Sequence, residues 1–288
     1  MTQTATSLGD LRREIDDIDT AIADLLVRRH GVVAEIGRAK AGSAAPVRPG
    51  READVLRRLV ARTEGRIAPR AVVRIWREIF AAAVRAQGPF AVAVCAPTGE
   101  RDLWDLARAH FGAATAALRV DRPAQAIRAL GEDAAQIAVL PPPGDDVLWW
   151  TGLIEAQPRL HVIARLPFAA NGNESGDVGV PAEAFVVGRV EPDPSADDLS
   201  LLAMEATAGT SRGRLKEMLA AAGFESAWRA VARPSSDSPD AVHLIEVDGF
   251  VADDDPRLAQ LSRDHMREIH RVVRLGAYAR PLRLDPAA

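Results

Sequence analysis

The architecture is set by residues 8 to 40, which read LGDLRREIDDIDTAIADLLVRRHGVVAEIGRAK. Five apolar residues recur along this stretch at alternating spacings of four and three: Leu11, Ile15, Ile18, Ile22 and Leu25. This spacing places them on one face of a helix, so the pattern predicts a single long helix over 8–41. The same rhythm then puts two cations, Arg29 and Lys40, where apolar side chains are expected.

The spacing of these cations indicates a site for a small anion. Arg29 and Lys40 are separated by about 16 Å along a helix and face nearly the same way, so they could hold the two ends of a dianion between them. Arg12 lies about 42 Å from Lys40 along a straight helix. If Arg12 and Lys40 bind one ligand, Arg12 therefore comes from a second copy of the chain. The alternative is that Arg29 and Lys40 extend from the stripe into solvent as hydrated charges.

Proline and glycine divide the next part of the chain. The segment 41–46 contains Gly42 and Pro46 and predicts the end of the long helix, Pro49 begins a second helix to about Arg62, and Pro69 begins a third to about Gln87. Strand-like and helix-like runs then alternate from residue 90 to 166, which predicts a small α/β layer. An apolar helix is expected at 147–156.

The last part of the chain predicts a different order of elements. A loop at 169–180 and a linker at 191–198 lead to strands at 199–206, 224–232, 241–248 and 272–279, with helices at 211–222 and 255–270. This βαββαβ order is typical of a ferredoxin-like arrangement. The predicted fold class is therefore multidomain, α plus α/β, with units at 1–89, 90–190 and 191–288.

Composition excludes several classes of protein. The chain has 288 residues and one cysteine, Cys95, so a disulfide framework and a multi-cysteine metal site are excluded. His265 and His270 lack metal-ligand spacing, and no metal is expected. Neither a signal peptide nor a membrane span is evident, so a cytoplasmic protein is expected. Residues 1–89 carry 16 Lys and Arg against 11 Asp and Glu, without interleaved aromatic residues, which favours a small anionic ligand over nucleic acid.

The first eighty-odd residues resemble a known family. The residues that carry the resemblance are Leu11-Arg12, Ile15-Asp16, Ile18-Asp19, Leu25-Leu26, Arg29, Ile36-Gly37, Lys40, Pro46-Val47, Arg51-Glu52 and Val55-Leu56. Over about residues 8–88 this pattern is similar to the all-helical chorismate mutases. The resemblance implies an intertwined, cofactor-free homodimer with two sites, which converts chorismate to prephenate by an intramolecular Claisen rearrangement.

The resemblance also implies residue roles. Arg12 from the partner subunit and Arg29 would bind the two carboxylates of the substrate. Lys40 and Gln87 would donate hydrogen bonds to the ether oxygen of the breaking bond. Glu52 would accept a hydrogen bond from the substrate hydroxyl, and Arg51 would support the start of its helix.

Two departures from the family pattern lead us to expect altered affinity. Many members have an aspartate shortly before the Arg-Glu pair, whereas this chain reads Arg48-Pro49-Gly50. A hydroxyl often lies one turn before the glutamine, whereas Ala83 lies there in this chain. Neither change removes a main charge, so activity is expected to persist.

The remaining chain resembles the bifunctional proteins in which prephenate dehydratase and a phenylalanine-sensing ACT domain follow the mutase. The family's Thr-Arg-Phe signature reads Glu183-Ala184-Phe185 here, and the segment is long enough for one lobe only, so dehydratase activity is expected to be absent. Arg212 and Arg214 lie in the turn that would hold an amino-acid effector. The ACT-like unit could therefore either bind an effector or form a dimer interface, and the sequence does not decide between these roles.

Three other functions stay open on the sequence alone. A true bifunctional chorismate mutase and prephenate dehydratase would form phenylpyruvate from prephenate. A ligand-sensing or partner-regulating protein could use the same scaffold without catalysis. Isochorismate-pyruvate lyase chemistry could also use this helical scaffold, and offering isochorismate would test it.

Overall fold

A computed structural model of the chain describes residues 7–39, 47–97, 102–171, 183–234 and 240–284. Within these residues, no helix is both long enough and apolar enough to cross a membrane. The same residues contain no group of three His, Cys, Asp or Glu side chains placed to hold a metal ion.

The N-terminal module consists of three helices, α1 (Leu8–Ala39), α2 (Pro49–Thr63) and α3 (Pro69–Arg85). Proline lies in the first turn of α2 and of α3, where its missing N–H costs no helical hydrogen bond. The three helices predicted from periodicity and proline placement are therefore present. Residues 40–46, including Lys40 and the predicted helix break, lie outside the described residues.

The long helix α1 exposes its apolar face. None of the residues between Leu8 and Ala39 is buried. The α1 stripe, defined as the five apolar residues that begin the pattern, is between 45% and 62% exposed: Leu11, Ile15, Ile18, Ile22 and Leu25. Near its end α1 approaches α3, since a Cβ added at Gly37 would lie 3.2 Å from Cγ of Gln87. Most of α1 therefore presents an apolar stripe that the described part of its own chain leaves uncovered.

The helices α2 and α3 pack on each other and on the rest of the chain. Ala53 and Leu56 from α2 join Phe80 from α3 in one buried cluster, together with Phe168 and Ala279. The guanidinium groups of Arg57 and Arg77 lie 5.8 Å and 5.4 Å from the centre of the Phe168 ring. The inner face of the helical module thus packs against the part of the chain that follows it, which is called the body below.

The body begins with alternating strands and helices. In chain order the elements are β1 (Ala91–Cys95), α4 (Asp102–Phe111), β2 (Ala116–Val120), α5 (Pro123–Gly131), β3 (Ile137–Leu140), a 3₁₀ turn (Trp149–Leu153), β4 (His161–Leu166), β5 (Ala169–Asn171) and β6 (Ala184–Gly188). The predicted α/β layer is therefore present. Cys95 and Trp150 are buried in it.

The C-terminal elements follow in the predicted βαββαβ order. They are β7 (Asp198–Ala206), α6 (Arg212–Ala221), β8 (Ser226–Ala232), β9 (Ala241–Asp248), α7 (Pro256–Asp264), β10 (Ile269–Ala279) and a short β11 (Leu282–Leu284). Strands β10, β7, β9 and β8 lie side by side in that order, and each neighbouring pair is antiparallel.

One sheet crosses the expected boundary at residue 190. Its nine strands lie in the order β2-β1-β3-β6-β4-β10-β7-β9-β8. The junction is the parallel pair of β4 and β10, at which Gly276 lies opposite Val162. A Cβ at Gly276 would lie 2.0 Å from the carbonyl oxygen of Val162, so only glycine permits this approach.

Several predicted elements differ from those in the structure. The apolar run at 147–156 forms only the turn Trp149–Leu153, in which both tryptophans are buried. The helix expected over 255–270 ends at Asp264, because Ile269 and the residues after it pair with β7. The loop expected from Ala169 begins with β5, which pairs with β11. Residues 172–180 of that loop lie outside the described residues.

Candidate active site

The strongest candidate site is a cavity of about 550 Å³ between the three helices of the N-terminal module. The described residues that line it include four arginines and one carboxylate, Glu52; the arginines are Arg29, Arg48, Arg51 and Arg58. Apolar side chains, including Trp76 and Phe80, form the remaining wall. A cavity with a strong excess of cations and apolar walls favours a small anion that also carries apolar surface.

Arg29 is the cation that α1 contributes to the cavity. It interrupts the apolar rhythm of α1, and its guanidinium lies 5.7 Å from the centre of the Phe80 ring on α3. Its partial burial lowers the pKa of Arg29 from the ordinary value, while Glu52 opposes this change. A guanidinium remains charged despite such a shift, so Arg29 is a fixed positive donor at the cavity wall.

Glu52 is held by an ion pair beneath the cavity. Nη1 of Arg77 donates to Oε2 of Glu52 at 2.8 Å, and the Arg77 side chain is 5% exposed. Burial raises the pKa of Glu52 above the usual carboxyl range, and the charge of Arg77 opposes this effect. Asp193, which lies nearby, raises the pKa further. Glu52 is thus a positioned carboxylate acceptor that takes up a proton more readily than an exposed glutamate.

Gln87 lies at the end of α3 and lines the cavity. Its Nε2 donates to the carbonyl oxygen of Ala83 at 3.0 Å, and its side chain lies close to Gly37 of α1. An amide NH₂ group carries two donors, so this hydrogen bond leaves a second donor for a ligand. The residue is half-buried, in contrast to the exposed, frayed helix end that is the simplest alternative.

The structure brings four of the six predicted site residues to one cavity: Arg29, Arg51, Glu52 and Gln87. Arg12 is exposed on α1 and is not among the residues that line it. It lies 17 residues before Arg29, about 25 Å along the helix, which is beyond the reach of an arginine side chain. Lys40, the sixth, lies outside the described residues.

Sequence reasoning missed three arginines of this region. Arg58 lies in α2 and lines the cavity. Arg48 lies just before α2 and lines the cavity. Arg77 lies in α3 between Val73, Phe80 and Val84, so it occupies an apolar position of that helix in the same way as Arg29 does in α1. The same signal, a cation within an apolar rhythm, could have identified Arg77.

A second cavity of about 560 Å³ lies beside α7 and β10. Its arginines are already paired with carboxylates: Arg159 and Arg274 with Asp253, and Arg271 with Glu155. Because these charges balance locally, this cavity has no excess of cations to attract an anion. The cavity of the helical module is therefore the better candidate.

Glu183, which the sequence resemblance aligns with the threonine of the dehydratase signature, lies in a network of ion pairs. Glu183 pairs with Arg165 at 2.5 Å and with Arg229 at 3.4 Å. Arg229 also pairs with Glu246 at 2.7 Å, and the hydroxyl of the buried Tyr278 donates to Glu246. These contacts link the residue before β6 to β4 and to the C-terminal strands.

Comparison with protein families identifies the helical module. Residues 11–88 match the family described as chorismate mutase type II. The resemblance drawn from the sequence is confirmed for this segment. No curated protein matches the chain at a significant level.

Three solved structures resemble the fold of the chain at low identity. A quorum-quenching acylase, GqqA, is 19% identical with a TM-score of 0.46, and the match covers 66% of this chain and 94% of that one. A prephenate dehydratase from Streptococcus mutans is 16% identical with a TM-score of 0.45, over 66% and 97%. A prephenate dehydratase from Arthrobacter aurescens in complex with L-Phe is 16% identical with a TM-score of 0.44, over 68% and 93%. Similarity at this level does not establish a shared activity.

Proposed function

We propose that the protein is a chorismate mutase that converts chorismate to prephenate. The observation that carries this proposal is the cavity lined by four arginines and the single carboxylate of Glu52, within the segment that matches the chorismate mutase type II family. The substrate is a dianion with an apolar ring, which fits the charge and the walls of the cavity. The rearrangement needs neither a covalent intermediate nor a proton transfer, so the task of the protein is to position the substrate and stabilise charge.

The residues of the cavity take the following roles in this proposal. Arg29 binds a carboxylate of the substrate, and Arg51 supports the start of α2 at the edge of the cavity. Gln87 donates its second amide hydrogen to the ether oxygen, where negative charge develops as the bond breaks, and Lys40 supplies a second donor there. Glu52 accepts a hydrogen bond from the substrate hydroxyl. No cofactor takes part.

We further propose that the active form is a homodimer in which Arg12 of the partner subunit completes each site. The exposed α1 stripe supports this, because an apolar face of this length is stabilised when a second copy covers it. The distance between Arg12 and the cavity of its own chain supports it as well. The α1 stripe is thus covered by the α1 helix of the second copy.

The body is proposed to consist of a truncated dehydratase-like lobe, residues 90–190, and an ACT-like unit, residues 191–288. The antiparallel order β10-β7-β9-β8 supports the second assignment. The ion pairs of Glu183 support the absence of dehydratase chemistry, since this carboxylate is engaged by Arg165 and Arg229. The ACT-like unit serves either dimerisation or binding of an amino-acid effector.

The proposed function is tested by following chorismate and its products with the purified full chain. We expect catalysed loss of chorismate absorbance, an equal yield of prephenate, and no phenylpyruvate until acid is added. Chorismate that persists at the uncatalysed rate would contradict the mutase proposal. Phenylpyruvate formed at neutral pH would contradict the proposed loss of dehydratase activity.

The raised pKa of Glu52 predicts how the activity depends on pH. Because burial raises its pKa, Glu52 loses its charge at a higher pH than an ordinary glutamate as the solution is acidified. We therefore expect kcat/KM for chorismate to fall on the acid side, beginning above the usual carboxyl range, while circular dichroism shows the protein still folded. In Glu52→Gln the maximum of kcat/KM is lower, and this fall on the acid side, the acid limb of the pH profile, is absent. An unchanged acid limb in Glu52→Gln would assign it to another group.

A further inference from the structure

The linker that precedes β7 lies against the first turn of α2. Oδ1 of Asp193 accepts a hydrogen bond from the N–H of Gly50 at 3.3 Å, and Oδ2 accepts one from the N–H of Arg51 at 3.4 Å. Nε of Arg48 donates to Oδ2 at 3.2 Å. The Asp193 side chain is only 16% exposed, whereas the Arg48 side chain that pairs with it is 51% exposed.

With these contacts, Asp193 makes the hydrogen bonds that an N-cap side chain normally makes. The first N–H groups of a helix have no partner within it and carry the positive end of its dipole, so a carboxylate there is stabilising. The residue that precedes α2, Arg48, makes no side-chain capping hydrogen bond of its own. Asp193 therefore acts as the cap of α2 from a position 145 residues further along the chain.

The fit between linker and helix depends on close backbone contact. A Cβ added at Gly50 would lie 2.3 Å from the carbonyl oxygen of Asp193. Further along the same helix, Asp54 accepts a hydrogen bond from the N–H of Ala196 at 3.0 Å, and Arg57 donates to the hydroxyl of Ser195 at 2.9 Å. One face of α2 is thus docked on the linker, with Asp193 at its N-terminal end.

We infer that Asp193 is a positioning residue for the mutase site: by capping α2 it orients three charged residues that lie before or in the first turn of this helix and line the cavity. The three are Arg48, Arg51 and Glu52. The inference rests on the proposed function. Asp193 itself does not line the cavity among the described residues, so it acts through these neighbours. It follows that the C-terminal part of the chain supplies a support that the helical module needs.

Because Asp193 is charged, it also changes the pKa of Glu52, which an uncharged support would not do. The charged groups that face Glu52 are Arg77 from α3, Arg29 from α1 and Asp193 from the linker. Of these, the Asp193 carboxylate raises the pKa of Glu52 by repelling its charge. Removing that charge while keeping the shape of the side chain therefore lowers the pKa of Glu52, and the acid limb of the activity moves to lower pH.

The test compares three variants of the full-length protein. Asp193→Ala removes both the hydrogen bonds and the charge, whereas Asp193→Asn keeps an acceptor oxygen and removes the charge. Asp197→Asn is the matched control, because Asp197 lies in the same linker and its carboxylate pairs with Arg280, while only its backbone carbonyl accepts a hydrogen bond from Arg57 of α2. Steady-state kinetics with chorismate, pH profiles, and hydrogen exchange of the peptide that begins α2 are measured for each.

We expect Asp193→Ala to raise KM for chorismate about tenfold, with a smaller effect on kcat, and to speed exchange at the start of α2 by a similar factor. Asp193→Asn should recover most of the loss in KM and move the acid limb to lower pH. Asp197→Asn should match the wild type in every measurement. Wild-type KM and wild-type exchange in Asp193→Ala would overturn the inference, and so would equal losses in Asp197→Asn.

Failure of the proposed function gives a different result. If the wild-type protein leaves chorismate unchanged, the mutase proposal fails, and the hydrogen-exchange comparison alone decides whether Asp193 orders the start of α2. If the wild-type protein is active and all three variants behave alike, the mutase proposal stands and the role of Asp193 is wrong.

Discussion

Arg29→Ala is expected to lower kcat/KM for chorismate by about a hundredfold to a thousandfold while the protein keeps its fold. The reason is that Arg29 places a fixed charge at the wall of the cavity, beside the Phe80 ring, where a carboxylate of the substrate would lie. A charge-assisted hydrogen bond in such a partly desolvated site is worth several times more than one at an open surface. The loss should appear in both kcat and KM, because the arginine binds and orients the substrate.

Arg28→Ala is the matched control for this experiment. Arg28 is the neighbouring residue on the same helix, is exposed, and does not line the cavity. We expect Arg28→Ala to change kcat/KM by less than about threefold, since removal of an exposed charge has little effect. Equal losses in the two variants would show that general positive charge on α1, and not the position of Arg29, determines the rate.

Ile18→Asp is expected to convert the protein from dimer to monomer at micromolar concentration and to abolish most of the mutase activity. Ile18 lies in the middle of the α1 stripe and is 51% exposed in the single chain. Burial of the exposed half of each large apolar side chain of the stripe stabilises a dimer by about 1 kcal/mol, and a carboxylate at the centre opposes this with a large desolvation penalty. Sedimentation velocity measures the oligomeric state, and the chorismate assay measures the activity.

Thr20→Asp separates the effect of the interface from the effect of added charge. Thr20 lies on the opposite face of α1, among Asp16, Asp17 and Asp24. This variant should remain a dimer and keep its activity. A dimeric and active Ile18→Asp protein would show that the α1 stripe is not the interface.

Local signals account for the part of the fold that the sequence predicts well. The periodicity of α1 and the prolines that begin α2 and α3 depend on neighbouring residues only, so they are visible without knowledge of the rest of the chain. Strand β11 and the early end of α7 were not predictable in this way. Both depend on partners far along the chain, β5 for β11 and β7 for the residues that follow α7.

The same distinction between local signals and distant contacts applies to the candidate site. Arg29 is visible because it breaks an apolar rhythm, and its convergence with Arg51, Glu52 and Gln87 follows from the family resemblance. Asp193 was not predicted, because its contact with α2 spans more than a hundred residues and its linker has no periodic pattern. The local sequence before Arg51 lacks an aspartate, and this led us to expect altered affinity. Asp193 places a carboxylate at that helix start.

The central claim is that residues from two copies of the helical module complete each site, and exchange of subunits between two inactive variants tests it most directly. Arg12→Ala and Arg29→Ala each damage both sites of their own homodimer. In a mixed dimer, one site carries both defects and the other carries neither. After complete exchange, verified by native mass spectrometry of differently tagged chains, the mixture should recover about a quarter of the wild-type specific activity. Verified exchange with no recovery of activity would contradict the claim.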